Sequence, residues 1–288
     1  MRFSLLMVLC AGLLAATATP AADERFSGRQ AWEIARKMTC GTLEEGVTRY
    51  GVFGGRAYSR VPGEKDRHLF DVLGVNTRQC ASVADPEKGE GFRSVSREVM
   101  LYLDPESGEI LREWRNPWTG ETVEVVQVAN DPVNMRAPRF EAEQREIVMQ
   151  RNGEILIGAS EVPLFYDNPL GSDYQDYIGG HYHAMEIFDM FYPADQLLDS
   201  KRRVERSWIA WVRVAQWLPW MKMGSRPGLM IFNATGSSTF DRAEIPEPLR
   251  SELERNYPRY FEPPPLDDRR PNETSWTVFR KHLEQAGD

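Results

Sequence analysis

The sequence predicts a mainly β protein, in which an antiparallel meander of about ten strands closes into a calycin-like β-barrel. Short alternating strand patterns are separated by turns rich in Pro, Gly, Asn and Asp, and helical patterns are confined to the two ends of the chain. Closure removes the exposed edges of so large a sheet, and a barrel of this size can hold one small ligand. An open, strongly curved sheet whose concave face is filled by the terminal helices is the second expectation, and a two-layer sandwich is the third.

Residues 91–134 predict three consecutive strands. Side chains alternate at the period of a strand between residues 94 and 103, and turn-forming residues follow at 104–109, 116–121 and 130–134. This stretch is the strongest indication of a meandering sheet.

The remaining elements follow from the same patterns. Asn152-Gly153 is the strongest hairpin signal, and the glycines at 51, 54 and 55 suit a bulge or a close backbone approach. The connection 163–180 is long enough to suggest a functional loop. Strands are predicted at 47–60, 68–77, 145–151, 154–162, 181–192, 204–217 and 229–234, and helices at 26–39, 246–257 and 275–285.

The N-terminal residues 1–22 predict a secretory signal peptide. Arg2 precedes an apolar run from residue 3 to residue 16, which is followed by small residues. The mature chain, 23–288, is expected to be one barrel domain in the periplasm or outside the cell, without a membrane span. The net charge of −8 argues against nucleic acid and anionic membranes as partners.

Cys40 and Cys80 remain after removal of this segment. In an oxidising compartment they could form a disulfide, and two separate buried thiols are the equal alternative, because spacing does not reveal geometry.

His181 and His183 are the first candidates for chemistry. Residues two apart on a strand point to the same face, so the two imidazoles come together, with Asp189 on the same face. They could act as a base and an electrophile, or they could be structural histidines at a strand end. A zinc site would need a third ligand, and no metal and no cofactor are predicted.

Two further groups are candidates for ligand binding. Tyr50, Arg56 and Tyr58 share one face of their strand and would orient an anionic or phenolic ligand if that face points inward. Trp211 and Arg213 lie in a Trp-rich segment that forms either core or the wall of an apolar pocket.

Several motifs together resemble the bacterial family known as domain of unknown function 1838. They are Y-S-R-V-P-G at 58–63, R-E-W-R-N-P-W-T-G-E-T-V-E-V at 112–125, N-D-P-V-N at 130–134, I-P-E-P-L-R at 245–250 and N-E-T-S-W-T at 272–277. The resemblance implies an exported single-domain bacterial protein and brings no catalytic assignment.

Three hypotheses for function follow. The first is an exported barrel that binds a small apolar or aromatic molecule, with His181, His183, Arg56 and Tyr58 as polar contacts. The second is a cofactor-free lyase, isomerase or hydrolase in the same cavity, with a histidine as the general base and Tyr58 or an arginine stabilising negative charge. The third is an envelope scaffold that meets a protein partner through the Trp-rich segment.

Overall fold

An antiparallel sheet of eleven strands dominates the fold. The computed structural model describes residues 22–171 and 174–287, so the predicted signal peptide lies outside the described residues except for Ala22. The strands are β1 (Ala22–Phe26), β2 (Arg49–Arg60), β3 (His68–Asp85), β4 (Gly89–Leu103), β5 (Glu113–Arg115), β6 (Thr122–Glu124), β7 (Val128–Asn130), β8 (Arg139–Phe140), β9 (Ile147–Asn152), β10 (Ile155–Asp167), β11 (His181–Pro193), β12 (Ser207–Ala215) and β13 (Leu229–Thr239). The helices are α1 (Gly28–Cys40), α2 (Ala194–Leu198), α3 (Leu249–Asn256) and α4 (Ser275–Gly287).

The strand order is β1-β9-β10-β11-β12-β13-β2-β3-β4-β7, with β8 also paired to β4. The predicted meander divides, because β5 and β6 form a separate two-stranded ribbon while β7 returns to β4. Within the described ranges, no ladder joins β1 to β7. The sheet is therefore mainly β and antiparallel as predicted, but it is open, and its closure into a calycin-like barrel is not confirmed.

Glycine lets neighbouring strands approach closely at the middle of the sheet. A Cβ atom added to Gly55 on β2 would lie 2.2 Å from the carbonyl oxygen of Asn233 on β13. The register between β2 and β3 also shifts between Ala57 and Tyr58, which is an irregularity of the kind a bulge produces. The close approach at Gly55 agrees with the expectation from the sequence, whereas the irregularity lies away from the glycines and leaves Leu69 of β3 as the extra residue.

The convex face of β2, β3 and β4 is covered by the C-terminal part of the chain. Val99 and Leu101 of β4 pack in one cluster with Leu249 and Leu253 of α3 and with Phe261. Since alternate residues of β4 face opposite sides, Glu98, Met100 and Tyr102 point to the concave side.

Helix α1 packs against both ends of the sheet. Ile34 belongs to a cluster with Met149 of β9, whereas Trp32 packs on Phe92 of β4 with 5.8 Å between ring centroids. Its last residue, Cys40, forms a disulfide with Cys80 of β3, and their Cα atoms are 6.0 Å apart. The helix therefore lies across the gap between the two ends of the sheet, where no ladder joins β1 to β7 among the described residues.

No helix among residues 22–171 and 174–287 has both the length and the apolar character needed to cross a membrane.

Candidate functional site

The concave face of the sheet encloses a cavity of about 570 Å³. Eight strands contribute to its wall: β2, β3, β4, β7, β10, β11, β12 and β13. Residues 272–276, which lead into α4, line it as well. The aromatic members of the wall are Phe53, Tyr102, Tyr166, Tyr182, Phe188, Tyr192, Trp208, Trp211, Trp217, Phe232 and Trp276.

A first polar group in the cavity centres on Arg213 of β12. Its Nη1 atom lies 3.2 Å from Oε1 of Glu186, and its Nη2 atom donates a hydrogen bond to the hydroxyl of Tyr182. Burial lowers the pKa of the Arg213 guanidinium, but Tyr182 and Glu186 together outweigh this effect and raise the pKa. Arg213 is therefore a fixed positive charge.

A second polar group lies on β3 and β4. Asn76 pairs with Glu98 across the ladder, and its Nδ2 atom donates to Oε2 of Glu98 at 3.5 Å. The same Asn76 accepts a hydrogen bond from Nε of Arg78 at 2.8 Å. Among the described residues, neither Glu98 nor Arg78 has an oppositely charged partner within 4.0 Å. Burial raises the pKa of Glu98, and burial also lowers the pKa of Arg78.

Arg49 of β2 is a third buried cation at the cavity. It donates to the carbonyl oxygen of Val204 at 2.9 Å, to the hydroxyl of Ser207 at 3.1 Å and to the hydroxyl of Ser238. Because these partners are neutral, burial dominates and lowers the pKa of Arg49 to about 10. Arg49 still carries its charge at neutral pH.

The charged residues of the cavity wall sum to a net positive charge, although the net charge of the whole chain is −8. The positive side chains are Arg49, Arg78, Arg136 and Arg213, and the negative ones are Glu98, Glu186 and Glu273. The raised pKa of Glu98 increases this excess, because it favours the neutral acid. Burial also raises the pKa of Tyr192 to about 12, so its hydroxyl stays a neutral hydrogen-bond donor at neutral pH.

Trp211 and Arg213 are the two predicted site residues that line the cavity. The odd-numbered residues of β12 face inward at this point. The Trp211 ring lies against Phe53 and Phe232, with centroid distances of 5.8 Å and 5.9 Å.

His181 and His183 lie on the opposite side of β11 and are exposed. Tyr182 between them takes the inward position. His181 is 3.1 Å from Asp167, His183 packs edge-on against Phe165, and Asp189 is exposed on the same outer face. His181, His183 and Asp189 therefore do not line this cavity.

Tyr50, Arg56 and Tyr58 share a face of β2 as predicted, but that face is the convex one. The hydroxyl of Tyr50 donates to the carbonyl oxygen of Phe261 at 2.9 Å, Arg56 is exposed, and Tyr58 packs on His68 at 5.2 Å. The inward positions of β2 belong to Arg49, Gly51 and Phe53. These three predicted site residues therefore do not border the cavity.

Sequence reasoning did not identify Glu98, Arg78, Tyr182 or Glu186 as site residues. One signal was available for Glu98, because it is the charged residue on a strand face that otherwise carries Ser94, Ser96, Met100 and Tyr102. Glu186 likewise shares its face with Tyr182.

Within the described part of the chain, no group of three or more His, Cys, Asp or Glu side chains is arranged to hold a metal ion. The polar groups at the cavity include guanidinium, amide, phenol, hydroxyl and single carboxylate groups.

Comparison with known protein families identifies the family of this chain. The model of the family described as "Protein of unknown function (DUF1838)" matches residues 47–283, which include every strand from β2 to β13. No curated protein matches the sequence. Because the match covers most of the chain and nearly all of the cavity wall, this protein belongs to the DUF1838 family.

Proposed function

We propose that this protein binds a small molecule with an aromatic or apolar body and an acidic group, within the cavity on the concave face. The observation that carries the proposal is Arg78, a half-buried guanidinium that lines an aromatic cavity and has no carboxylate within 4.0 Å among the described residues.

The aromatic wall supports binding of a flat, apolar body. The Trp211 ring is stacked with the rings of Phe232 and Phe188, at 5.9 Å and 6.4 Å, and meets Phe53 edge-on. Aromatic side chains bury large areas and offer faces and edges to a ligand ring. The cavity volume of about 570 Å³ falls within the range of small-molecule sites, roughly 300–1,000 Å³.

The buried arginines support an acidic group on the ligand. A charge that is partly removed from water is costly unless it is paired, and a ligand carboxylate or phenolate would supply a close partner for Arg78. Arg213 differs, because it already has an ion-pair partner in Glu186 at 3.2 Å. Arg78 is therefore the better anchor for an anion.

The disulfide between Cys40 and Cys80 supports export to an oxidising compartment, in agreement with the predicted signal peptide. We propose that helix α1, which packs on both ends of the open sheet, closes the ligand cavity, a role that strand pairing has in a calycin-like barrel. We therefore place ligand binding in the periplasm or outside the cell.

A pair of fluorescent probes tests the proposal. 8-Anilinonaphthalene-1-sulfonate carries a negative charge, and N-phenyl-1-naphthylamine has the same rings without it. We expect Arg78→Gln to weaken binding of the sulfonate about tenfold or more, because a hydrogen bond to a charged group contributes about 1.5–3 kcal/mol. Binding of the neutral probe should stay within about twofold of the wild-type value. Titration of each probe into purified protein measures both affinities.

Arg56→Gln is the matched control, because it removes the same charge from the convex face of β2 and should change neither affinity. Trp211→Ala should weaken both probes through loss of the aromatic wall. Equal losses of sulfonate binding in Arg78→Gln and Arg56→Gln would show that the probe senses only net charge, and the proposal would be wrong.

A further inference from the structure

We infer that Glu98 is a proton-transfer residue, which removes a proton from carbon in an acidic organic molecule bound in this cavity. The inference rests on the proposed binding function and adds a reaction to it. The substrate class is a small carbon acid, in which loss of a C–H proton places negative charge on an oxygen atom.

Glu98, which is half-buried, differs from the fully buried carboxylates Asp131 and Glu252. Asp131 is 2% exposed and lies within 3.0 Å of Arg97, Arg259 and Arg270. Glu252 is 0% exposed and is 2.7 Å from Arg112. Such pairing is what a structural carboxylate needs when it is removed from water.

The side chain of Glu98 has one hydrogen bond, a long one of 3.5 Å from Asn76 to Oε2, and no ion pair within the described ranges. Its remaining accessible surface opens into the cavity, because the residue lines the cavity wall near the middle of β4. Oε1 is thus available to a bound molecule. A general base needs this combination of access and incomplete hydrogen bonding.

Cationic and phenolic groups near Glu98 can stabilise the charge that proton removal creates. Arg213 is fixed by Glu186 and Tyr182, and its charge acts on Glu98, as does that of Arg78. Fixed donors aimed at a developing oxyanion contribute strongly to catalysis in a site shielded from water. Burial raises the pKa of Glu98 and so makes its carboxylate a stronger base than a free one.

The proposed step needs no additional reactant. The carboxylate of Glu98 takes the proton, the electron pair of the broken C–H bond forms a new carbon–carbon double bond, and the electrons of the carbonyl double bond move to its oxygen. In a substrate that carries a carbon–carbon double bond next to the acidic carbon, the negative charge extends to the far carbon of that double bond. Glu98, now neutral, returns the proton to this far carbon as the carbonyl re-forms, so the carbon–carbon double bond shifts into conjugation with the carbonyl. The product is an isomer of the substrate, and the carboxylate is regenerated.

A generic carbon acid, 5-nitrobenzisoxazole, tests this chemistry without knowledge of the natural substrate. A base removes its ring C–H proton, the C–H electron pair completes a nitrile, and the N–O bond breaks to give a coloured phenolate. We expect wild-type protein to accelerate this reaction over acetate at equal concentration. Glu98→Gln should lower the rate by about 100-fold or more, since general base catalysis contributes roughly 10²–10⁴.

Three further measurements make the test specific. Glu161→Gln removes a carboxylate from the exposed side of β10 and should leave the rate unchanged. The wild-type rate should rise with pH through a pKa above that of an ordinary glutamate, because Glu98 must be ionised to act as a base. 8-Anilinonaphthalene-1-sulfonate should inhibit the reaction by competing for the cavity.

Two outcomes would overturn the inference, and they are distinguishable. If the sulfonate probe binds in an Arg78-dependent manner but turnover is no faster than with acetate or survives Glu98→Gln, proton transfer by Glu98 is wrong and the binding function stands. If the sulfonate probe does not bind at all, the proposed function and this inference both fail.

Discussion

Glu98 and Glu186 are two carboxylates of one cavity whose surroundings differ. Glu186 lies 3.2 Å from Arg213, whereas Glu98 depends on a single long hydrogen bond from Asn76. For Glu98, burial is the largest effect and raises the pKa. The folded protein therefore holds the proton of Glu98 at pH values where the unfolded chain has released it.

This difference makes stability depend on pH in a specific direction. A group whose pKa is raised on folding contributes its full stability below the unfolded pKa, and that contribution is lost as pH rises toward the folded pKa. Glu98→Gln removes the titrating group while keeping its shape. We therefore expect the unfolding free energy of Glu98→Gln, relative to wild type, to become more favourable between about pH 4 and pH 8.

Urea unfolding of both proteins at the two pH values measures this change, and Glu161→Gln provides the same substitution on the outer face of β10. If Glu98→Gln keeps a constant difference from wild type at both pH values, Glu98 is not held in its neutral form by the fold.

The alternation of residues could be predicted from the sequence, but the inward face could not. Both parities of β11 contain polar and apolar residues: His181, His183 and Asp189 on one, Tyr182 and Glu186 on the other. Which parity faces inward depends on the curvature of the whole sheet and on the neighbours of each strand. On β12 the sequence left the same choice open, and the structure places Trp211 and Arg213 at the cavity wall.

At the scale of elements, the positions of most strands and helices follow from local patterns. The Asn152-Gly153 turn joins β9 and β10, and the helical spacings near the C-terminus correspond to α3 and α4. The predicted three-strand meander is only partly correct, because β5 and β6 leave the main sheet. Each of them is three residues long, and their pairing with each other could not be distinguished from pairing with β4 by alternation alone.

Strand β1 was not predicted. It is five residues long and pairs in register with β9, a partner more than a hundred residues away in sequence. Such a pairing leaves no short-range signal, so a brief charged segment next to a predicted cleavage zone does not indicate a strand.

The disulfide connects two elements that border the cavity. It joins the end of α1 to β3 over a sequence separation of 40, and both cysteines are buried. We expect the double substitution Cys40→Ser, Cys80→Ser to lower the unfolding free energy by about 3 kcal/mol, mainly because the unfolded chain gains conformational freedom. Urea denaturation of the oxidised proteins measures the loss.

Reduction of the wild-type protein should cause a similar loss, whereas the same reductant should leave the double variant unchanged. Equal stability of the reduced and oxidised wild-type protein would contradict a stabilising cross-link between α1 and β3.

At the scale of the whole molecule, the fold is a curved sheet with one long helix across its unpaired side. The sequence favoured a closed barrel because closure removes exposed edges. The structure protects the same region differently, since α1 packs on β9 through Met149 and on β4 through Phe92. Both solutions satisfy the same local patterns, so the choice between them depends on contacts between distant parts of the chain.

The molecule has a second apolar surface, on the convex side of β10 and β11. Phe165 is 70% exposed, and Met185 and Ile187 lie exposed on the neighbouring strand. An apolar probe could adsorb there through hydrophobic contact alone. That surface carries none of the buried arginines of the cavity, so the position of an anionic probe distinguishes the two sites.

The most direct test of the central claim is a crystal structure of the protein with 8-anilinonaphthalene-1-sulfonate bound. We predict that its sulfonate lies about 3 Å from the guanidinium of Arg78, a distance typical of charge-assisted hydrogen bonds, with its rings against Trp211. A probe bound beside Phe165 and Ile187, with the concave cavity occupied only by water, would contradict the claim.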